Sequence, residues 1–197
     1  MDNKIKEIFK KCGSLLKGHF LLSSGLHSDT YCQMAFIFQY PQYGEEITKE
    51  IGKMFEGEKI DVVVGPAIGG IIFSYELGKV LKTRSVFTER ENGEMQLRRG
   101  FKINKGEKVL ICEDVITTGK SVKEVIEVVK ECGGIIIGIA CIMERGEVEF
   151  GFPVKSLMKA GAKNYYQPSE CPLCKKGIPL TKLGSREQRA EDRPPQT

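Results

Sequence analysis

Two carboxylates, Glu113 and Asp114, stand just ahead of a hydroxyl-rich turn, Thr117-Thr118-Gly119-Lys120-Ser121. The closing Gly-Lys-Ser looks like the end of a triphosphate-binding P-loop, which needs another glycine five residues before the one that precedes its lysine. That position is Asp114. A carboxylate in a phosphate-cradling turn would repel a triphosphate, so the P-loop reading fails. The same residues suit a ligand that joins a monophosphate to a diol. Amides and hydroxyls from Thr117 to Ser121 can hold the phosphate, while adjacent carboxylates accept hydrogen bonds from vicinal sugar hydroxyls. A ribose 5-phosphate has both parts. Taken alone, an acidic pair is a solvated turn and Thr or Ser is a helix cap. The unbroken order of strand, acidic pair, TTG and helix is what favours a binding site.

The elements around this stretch are placed to support it. "KVLICED" reads as an apolar strand and "SVKEVIEVVKEC" as a helix, so the turn joins a strand end to a helix start, where unpaired amides favour an anion. "DVVVGPAIGG", "SVFTE" and "GGIIIGIACIM" read as further strands, and "IIFSYELGKVL" as a helix. Apolar strands alternating with helices predict an α/β fold with a doubly wound parallel sheet over residues 60–146. In such sheets ligands bind beyond the carboxyl ends of the strands. Ahead of this core, "NKIKEIFKKC" predicts an amphipathic helix with Ile5, Ile8, Phe9 and Cys12 on one face. "GHFLLSSGLHSDTYCQMAF" predicts strand, turn and strand, and Pro41 starts a helix carrying Ile47, Ile51, Met54 and Phe55 on its buried stripe. Residues 1–40 are expected to form a small N-terminal lobe within one domain spanning 1–185. The stretch after about 150 lacks a regular pattern, and "REQRAEDRPPQT", residues 186–197, has the composition of a disordered tail.

Bulk properties limit the functions available. The 197 residues, 41% hydrophobic and 28% charged, are enough for a single domain with a substantial core. The net charge of +4 is spread along the chain and suits a small anionic substrate rather than nucleic acid. No apolar run approaches the ~20 residues that span a bilayer, and the N-terminus lacks a signal-peptide core, so a cytoplasmic protein without membrane contact is expected. Cys12, Cys32, Cys112, Cys132 and Cys141 sit in apolar or periodic segments and are expected to be buried free thiols.

"VLICEDVITTGKS" resembles the 5-phosphoribosyl 1-diphosphate (PRPP) motif of the type I phosphoribosyltransferases, a hydrophobic strand followed by two acidic residues and a TTG-like loop. Within that group the chain is similar to the orotate phosphoribosyltransferase family through "FLLSSGLHSDTY", "GPAIGG" and "FTERENGEMQLRRGF", a likeness covering about residues 15–146. The resemblance implies transfer of ribose 5-phosphate from PRPP to orotate, giving orotidine 5-monophosphate and pyrophosphate in pyrimidine biosynthesis, with Mg²⁺ and a homodimer that shares its active sites. It implies that Glu113, Asp114, Val115, Ile116, Thr117, Thr118, Gly119, Lys120 and Ser121 bind PRPP. Glu113, Asp114 and Arg90 would be catalytic. Thr117, Arg145, Tyr31 and Cys32 would meet orotate, and Ala67, Ile68 and Gly69 would form the pyrophosphate loop. Arg98 and Arg99, with Arg90, belong to the segment similar to the family's mobile loop, which in better-known members is rich in lysine and carries a histidine, whereas this segment has neither, so which arginine acts stays open. Ser23 stands where some relatives have a lysine, with Lys17 nearby in sequence. No direct metal ligand is assigned, since Mg²⁺ would be held mainly through the substrate.

Two alternatives share the fold: a phosphoribosyltransferase for another base such as a purine, and a regulator that senses PRPP. The dispersed charge and the lack of an added helix-turn-helix segment argue against the regulator. Cys171 and Cys174 form a C-x-x-C pair that offers two soft ligands where structural zinc takes four. No further ligand stands at a telling spacing, so a reduced turn, a redox pair and a metal site all stay open. His27, alone in its predicted turn, is expected to be exposed.

Overall fold

The computed structural model describes residues 3–22, 24–159 and 165–183. The expected tail at 186–197 and Ser23 lie outside them. Helix α1 (Asn3–Lys11) leads into a hairpin of β1 (Leu15–Leu21) and β2 (His27–Cys32), then a short α2 (Ala35–Phe38) and α3 (Pro41–Lys53). Pro41 occupies the first turn of α3, where its missing N–H leaves no helical bond unmade. The core follows as β3 (Val62–Pro66), α4 (Gly69–Leu81), β4 (Arg84–Glu91), β5 (Glu94–Leu97), β6 (Lys108–Ile116), α5 (Lys120–Glu131), β7 (Ile135–Glu144) and β8 (Val154–Lys159).

These strands form one six-stranded sheet in the order β5-β4-β3-β6-β7-β8, parallel throughout except for the β4–β5 pair. Helices on both faces explain the continuous apolar runs, because consecutive side chains point to opposite faces and both are dry. Val63, Leu110, Ala140 and Ile142 pack with residues of α1, α3 and α4, whereas Val62, Val64, Val109, Ile111 and Ile139 pack with Val122, Val125 and Val129 of α5. Ile142 is fully buried. Ile142→Val removes one methylene from this layer and is expected to cost ~0.5–1.5 kcal/mol, read as a lower urea midpoint with an unchanged slope.

Two segments differ from expectation. The strand predicted at "SVFTE" continues to Glu91 and returns as β5 through Asn92 and Gly93, both at positive φ (53° and 89°). An Asn-Gly pair between strands favours this tight hairpin turn, whose twist matches that of the strands. The stretch after residue 150 contains the sheet's last strand, β8, whose lysines and serine hide its strand character and suit an exposed edge. Lys155 donates to the Met54 carbonyl (2.6 Å) and lies over the Phe55 ring, tying that edge to the end of α3.

The small lobe is a second sheet that draws on both ends of the chain. Beyond β8 come β9 (Tyr165–Tyr166), α6 (Pro172–Lys175) and β10 (Thr181–Lys182). The order is β10-β1-β2-β9, so the C-terminal segment supplies both edge strands of the N-terminal hairpin.

Candidate active site

At the carboxyl end of β6 the acidic pair enters a sparsely hydrated setting. Glu113 is 9% exposed, and Asp114 is partly exposed. Burial pushes the Glu113 carboxyl well above the usual carboxylate range; the neighbouring Asp114 adds to the rise, and the Arg90 charge opposes it. Burial raises Asp114 as well, against the stabilising bonds it receives, including the Val115 N–H on Oδ1 (2.8 Å). Two adjacent carboxylates whose burial outweighs the bonds and charge that stabilise them form a site that favours further hydroxyl donors or developing positive charge.

Residues 117–119 then turn the chain into α5. Together with Glu113, Val115 and Ile116 of β6, residues 117–122 line an open cleft of about 60 Å³ at the helix start, where the first amides carry the positive end of the helix dipole. Gly119 makes this turn at φ 70°, and a Cβ on it would stand 2.7 Å from the Phe150 ring. Gly119→Ala is expected to destabilise the protein by ~1–2 kcal/mol from the left-handed backbone, beyond any shift of Phe150, and to blunt phosphate binding. Thermal melts with and without inorganic phosphate would measure both. Lys120 turns its side chain to solvent (76% exposed) while its N–H faces Thr118 Oγ1 at 3.4 Å.

The turn between β3 and α4 meets the acidic pair from the adjacent strand. A Cβ on Gly69 would lie 2.7 Å from Asp114 Oδ2, so only glycine lets this turn approach the carboxylate. Ala67 is anchored by its N–H to the Thr88 carbonyl (2.7 Å), and Ile68 projects outward, 82% exposed. Gly69 therefore sits beside Asp114, while Ala67 is tied to β4 and Ile68 offers its backbone, not its outward side chain, to the crevice.

On the other side, Arg145 follows β7 and donates its N–H to the Ile116 carbonyl (2.8 Å). Its guanidinium lies 5.5 Å from the ring centre of Tyr31 and 5.9 Å from that of Tyr165. Two aromatic faces hold the cation in place while leaving its planar fork available. Tyr165 was not anticipated; it arrives because β9 pairs Tyr165 with Ser28 of β2, a register that no local pattern announces. Burial raises the Tyr31 hydroxyl, with Arg145 opposing. Cys32, next in the strand, is buried in the core cluster, and its thiol is pushed up to about 11 by burial. Lys17 reaches across the hairpin to Thr30 Oγ1 (2.9 Å).

The three arginines of the segment 89–100, Arg90, Arg98 and Arg99, separate. Arg90 extends to the start of α5, donating to Ser121 Oγ (3.2 Å) and Glu124 Oε2 (3.1 Å from Nε). Arg98 pairs with Glu91 (2.8 Å), and Arg99 makes a two-pronged pair with Glu89 (2.7 and 2.9 Å). Only Arg90 is brought to the turn at 117–121; exposed pairs like those of Arg98 and Arg99 contribute little and exchange readily.

Residues 37–151 match the family model described as a phosphoribosyl transferase domain. The chain is 56% identical over 186 residues to an orotate phosphoribosyltransferase from Caldanaerobacter subterraneus subsp. tengcongensis, covering 93% of this chain and 97% of the relative. The chain belongs to the orotate phosphoribosyltransferase family. Another orotate phosphoribosyltransferase, from Thermotoga maritima, is 52% identical over 184 residues, 92% of this chain and 98% of that one. Among solved structures, orotate phosphoribosyltransferase from Aeropyrum pernix superposes with a TM-score of 0.69 at 24% identity, over 79% of this chain and 93% of that one. An adenine phosphoribosyltransferase from Thermoanaerobacter pseudethanolicus matches 66% of this chain and 88% of its own length, with a TM-score of 0.58 at 18% identity. The orotate phosphoribosyltransferase fold is thus shared with enzymes named for a purine, and the strong sequence identity is what separates them.

Proposed function

We propose that the protein transfers the ribose 5-phosphate of PRPP to orotate, releasing pyrophosphate and forming orotidine 5-monophosphate. The observation that supports this most directly is that the 117–121 turn, the Glu113–Asp114 pair and Arg145 all meet at the end of β6. The 117–121 turn suits the 5-phosphate and the Glu113–Asp114 pair suits the ribose hydroxyls. Arg145, stacked between Tyr31 and Tyr165, suits a planar aromatic acid. Loss of pyrophosphate from C1 leaves positive charge on the sugar. Glu113 and Asp114 are placed to favour it, and the developing charge in turn relieves their own desolvation.

In this reading Thr117 lies between phosphate and base, and the amides of 67–69 face the diphosphate. Arg90 balances charge on the phosphate side, and Arg145 binds the orotate carboxylate through its fork. The buried Cys32 thiol supports the base pocket from behind. Mg²⁺ fits the hard oxygen donors present: it would be held mainly through substrate oxygens and water, and Asp114, beside Gly69, would be the protein carboxylate nearest to it. When bound, it would neutralise the diphosphate as a leaving group.

Residues 1–185 would work as one domain with 1–40 over the base site. The enzyme would act in the cytoplasm as a homodimer, with Arg98 and Arg99 reaching a neighbouring site. Seven free cysteines suit a reducing compartment, and no helix among the described residues is long and apolar enough to cross a membrane. Loss of orotate absorbance on addition of PRPP, compared across a panel of bases, tests the central reading. Turnover with adenine or hypoxanthine and none with orotate would overturn it, as would tight PRPP binding with no turnover on any base.

A further inference from the structure

The C-x-x-C pair does not stand alone. His19, His27, Cys171 and Cys174 bring one ligand atom each into a cluster whose members all lie within 4.8 Å of one another. His27 is not exposed as its sequence context suggested: it is 5% exposed, at the first position of β2, and His19 is 2% exposed. Leu21 pairs with His27, so His19, two residues earlier, is its diagonal neighbour across the hairpin. An irregularity in the β1–β2 register between Lys17 and Phe20 bends the strand at this point, the usual way of re-aiming a side chain. Cys171 and Cys174 lie one turn apart at the start of α6 and face the two imidazoles.

The distances fit a tetrahedral ion. Cys171 Sγ is 3.4 Å from His19 Nε2, and Cys174 Sγ is 3.7 Å from that atom and 3.3 Å from His27 Nδ1. Zinc bonds of ~2.3 Å to sulfur and ~2.0–2.1 Å to nitrogen place the N···S edges of a regular tetrahedron at about 3.5 Å. The two ring nitrogens, 2.9 Å apart, lie a few tenths of an ångström inside their ideal edge. His19 Nδ1 is 2.8 Å from the Ile178 carbonyl. A carbonyl only accepts, so that nitrogen carries the proton and Nε2 presents a bare lone pair to His27 and both sulfurs. A backbone carbonyl that fixes the tautomer is the outer contact metal-bound histidines normally make.

Burial supplies an independent reason for a cross-link here. Between 165 and 183, Cys171 is the only fully buried residue among those described, and β9 and β10 are two residues each. Such a segment has little apolar surface with which to hold itself on the hairpin.

We infer that His19, His27, Cys171 and Cys174 bind a structural zinc ion that clamps the C-terminal segment onto the β1–β2 hairpin. With four protein ligands the ion is closed to substrate and is separate from any Mg²⁺ used with PRPP. The test is the metal content of the full chain produced with zinc supplied. A single zinc per chain is expected in the unaltered protein and in Cys132→Ser, and a loss of that zinc in Cys174→Ser and His27→Ala. Should those variants not fold, the unaltered protein is stripped with a chelator and titrated with Co²⁺. Tetrahedral d–d bands with thiolate charge transfer, saturating at one equivalent, are expected, together with a lower melting temperature of the stripped form. Octahedral cobalt, substoichiometric zinc in the unaltered protein, equal zinc in the variants, or an unchanged melting temperature after stripping would each overturn the clamp.

Discussion

Asp114→Asn is expected to lower kcat/KM for PRPP by ~10²–10³-fold while leaving the protein folded and no less stable. The two halves of this expectation have one cause. Asp114 and Glu113 are held close together at the end of β6, and burial raises both carboxyls, Glu113 furthest. A carboxyl raised in the native state binds its proton more tightly there than in the unfolded chain. Stability therefore falls as pH rises from the ordinary glutamate value of 4.5 toward the raised native value, and remains at the lower level above it. The free protein thus carries an electrostatic penalty at neutral pH that hydroxyl donors, developing positive charge or a cation would relieve. Asparagine keeps the shape and removes the charge, so the melting temperature at pH 7 should hold or rise, and the decline in stability as pH rises above the ordinary carboxylate range should flatten. Near-normal turnover would refute the role of Asp114, and a fall in melting temperature would refute the electrostatic account.

Arg145→Gln is expected to raise KM for orotate by ~10²-fold with little change in KM for PRPP. Two charge-assisted hydrogen bonds to a carboxylate contribute ~1.5 kcal/mol or more apiece, which together amount to about that factor. The cation is held between Tyr31 and Tyr165, so a neutral amide also forfeits the attraction of both rings. Arg145→Lys should recover only part of the loss, because an ammonium is a point charge and cannot offer two parallel donors. Initial rates with each substrate varied in turn would decide the matter. Equal increases in both KM values would show instead that Arg145 supports the turn at 117, to which its own N–H is linked through Ile116.

The arrangement of the acidic pair and the turn at 117–121 was legible because it is contiguous. Strand, acidic pair, turn and helix follow one another from Lys108 to Glu131, and local rules of strand burial, helix starts and left-handed glycine dictate their arrangement. The base side was half legible. Arg145 could be placed at a strand end, yet its partner Tyr165 comes from a two-residue strand whose pairing depends on the folded lobe. The hairpin after β4 was signalled by Asn92-Gly93, and β8 was masked because a half-buried edge strand, unpaired along one side, accommodates Lys155, Ser156 and Lys159.

The His19–His27–Cys171–Cys174 cluster marks the boundary most sharply. C-x-x-C is visible as a pair of soft ligands, but its histidines lie more than 140 positions earlier, 152 residues in the case of Cys171 and His19. Periodicity and turn chemistry act over a few residues, so the chain alone determined the parallel core, the turn at 117–121 and the acidic pair that precedes it. What brings Tyr165 to Arg145, Gly69 to Asp114 and two histidines to two cysteines is the register of strands distant in sequence. That register is set by which faces can be buried together, a property only the tertiary structure possesses.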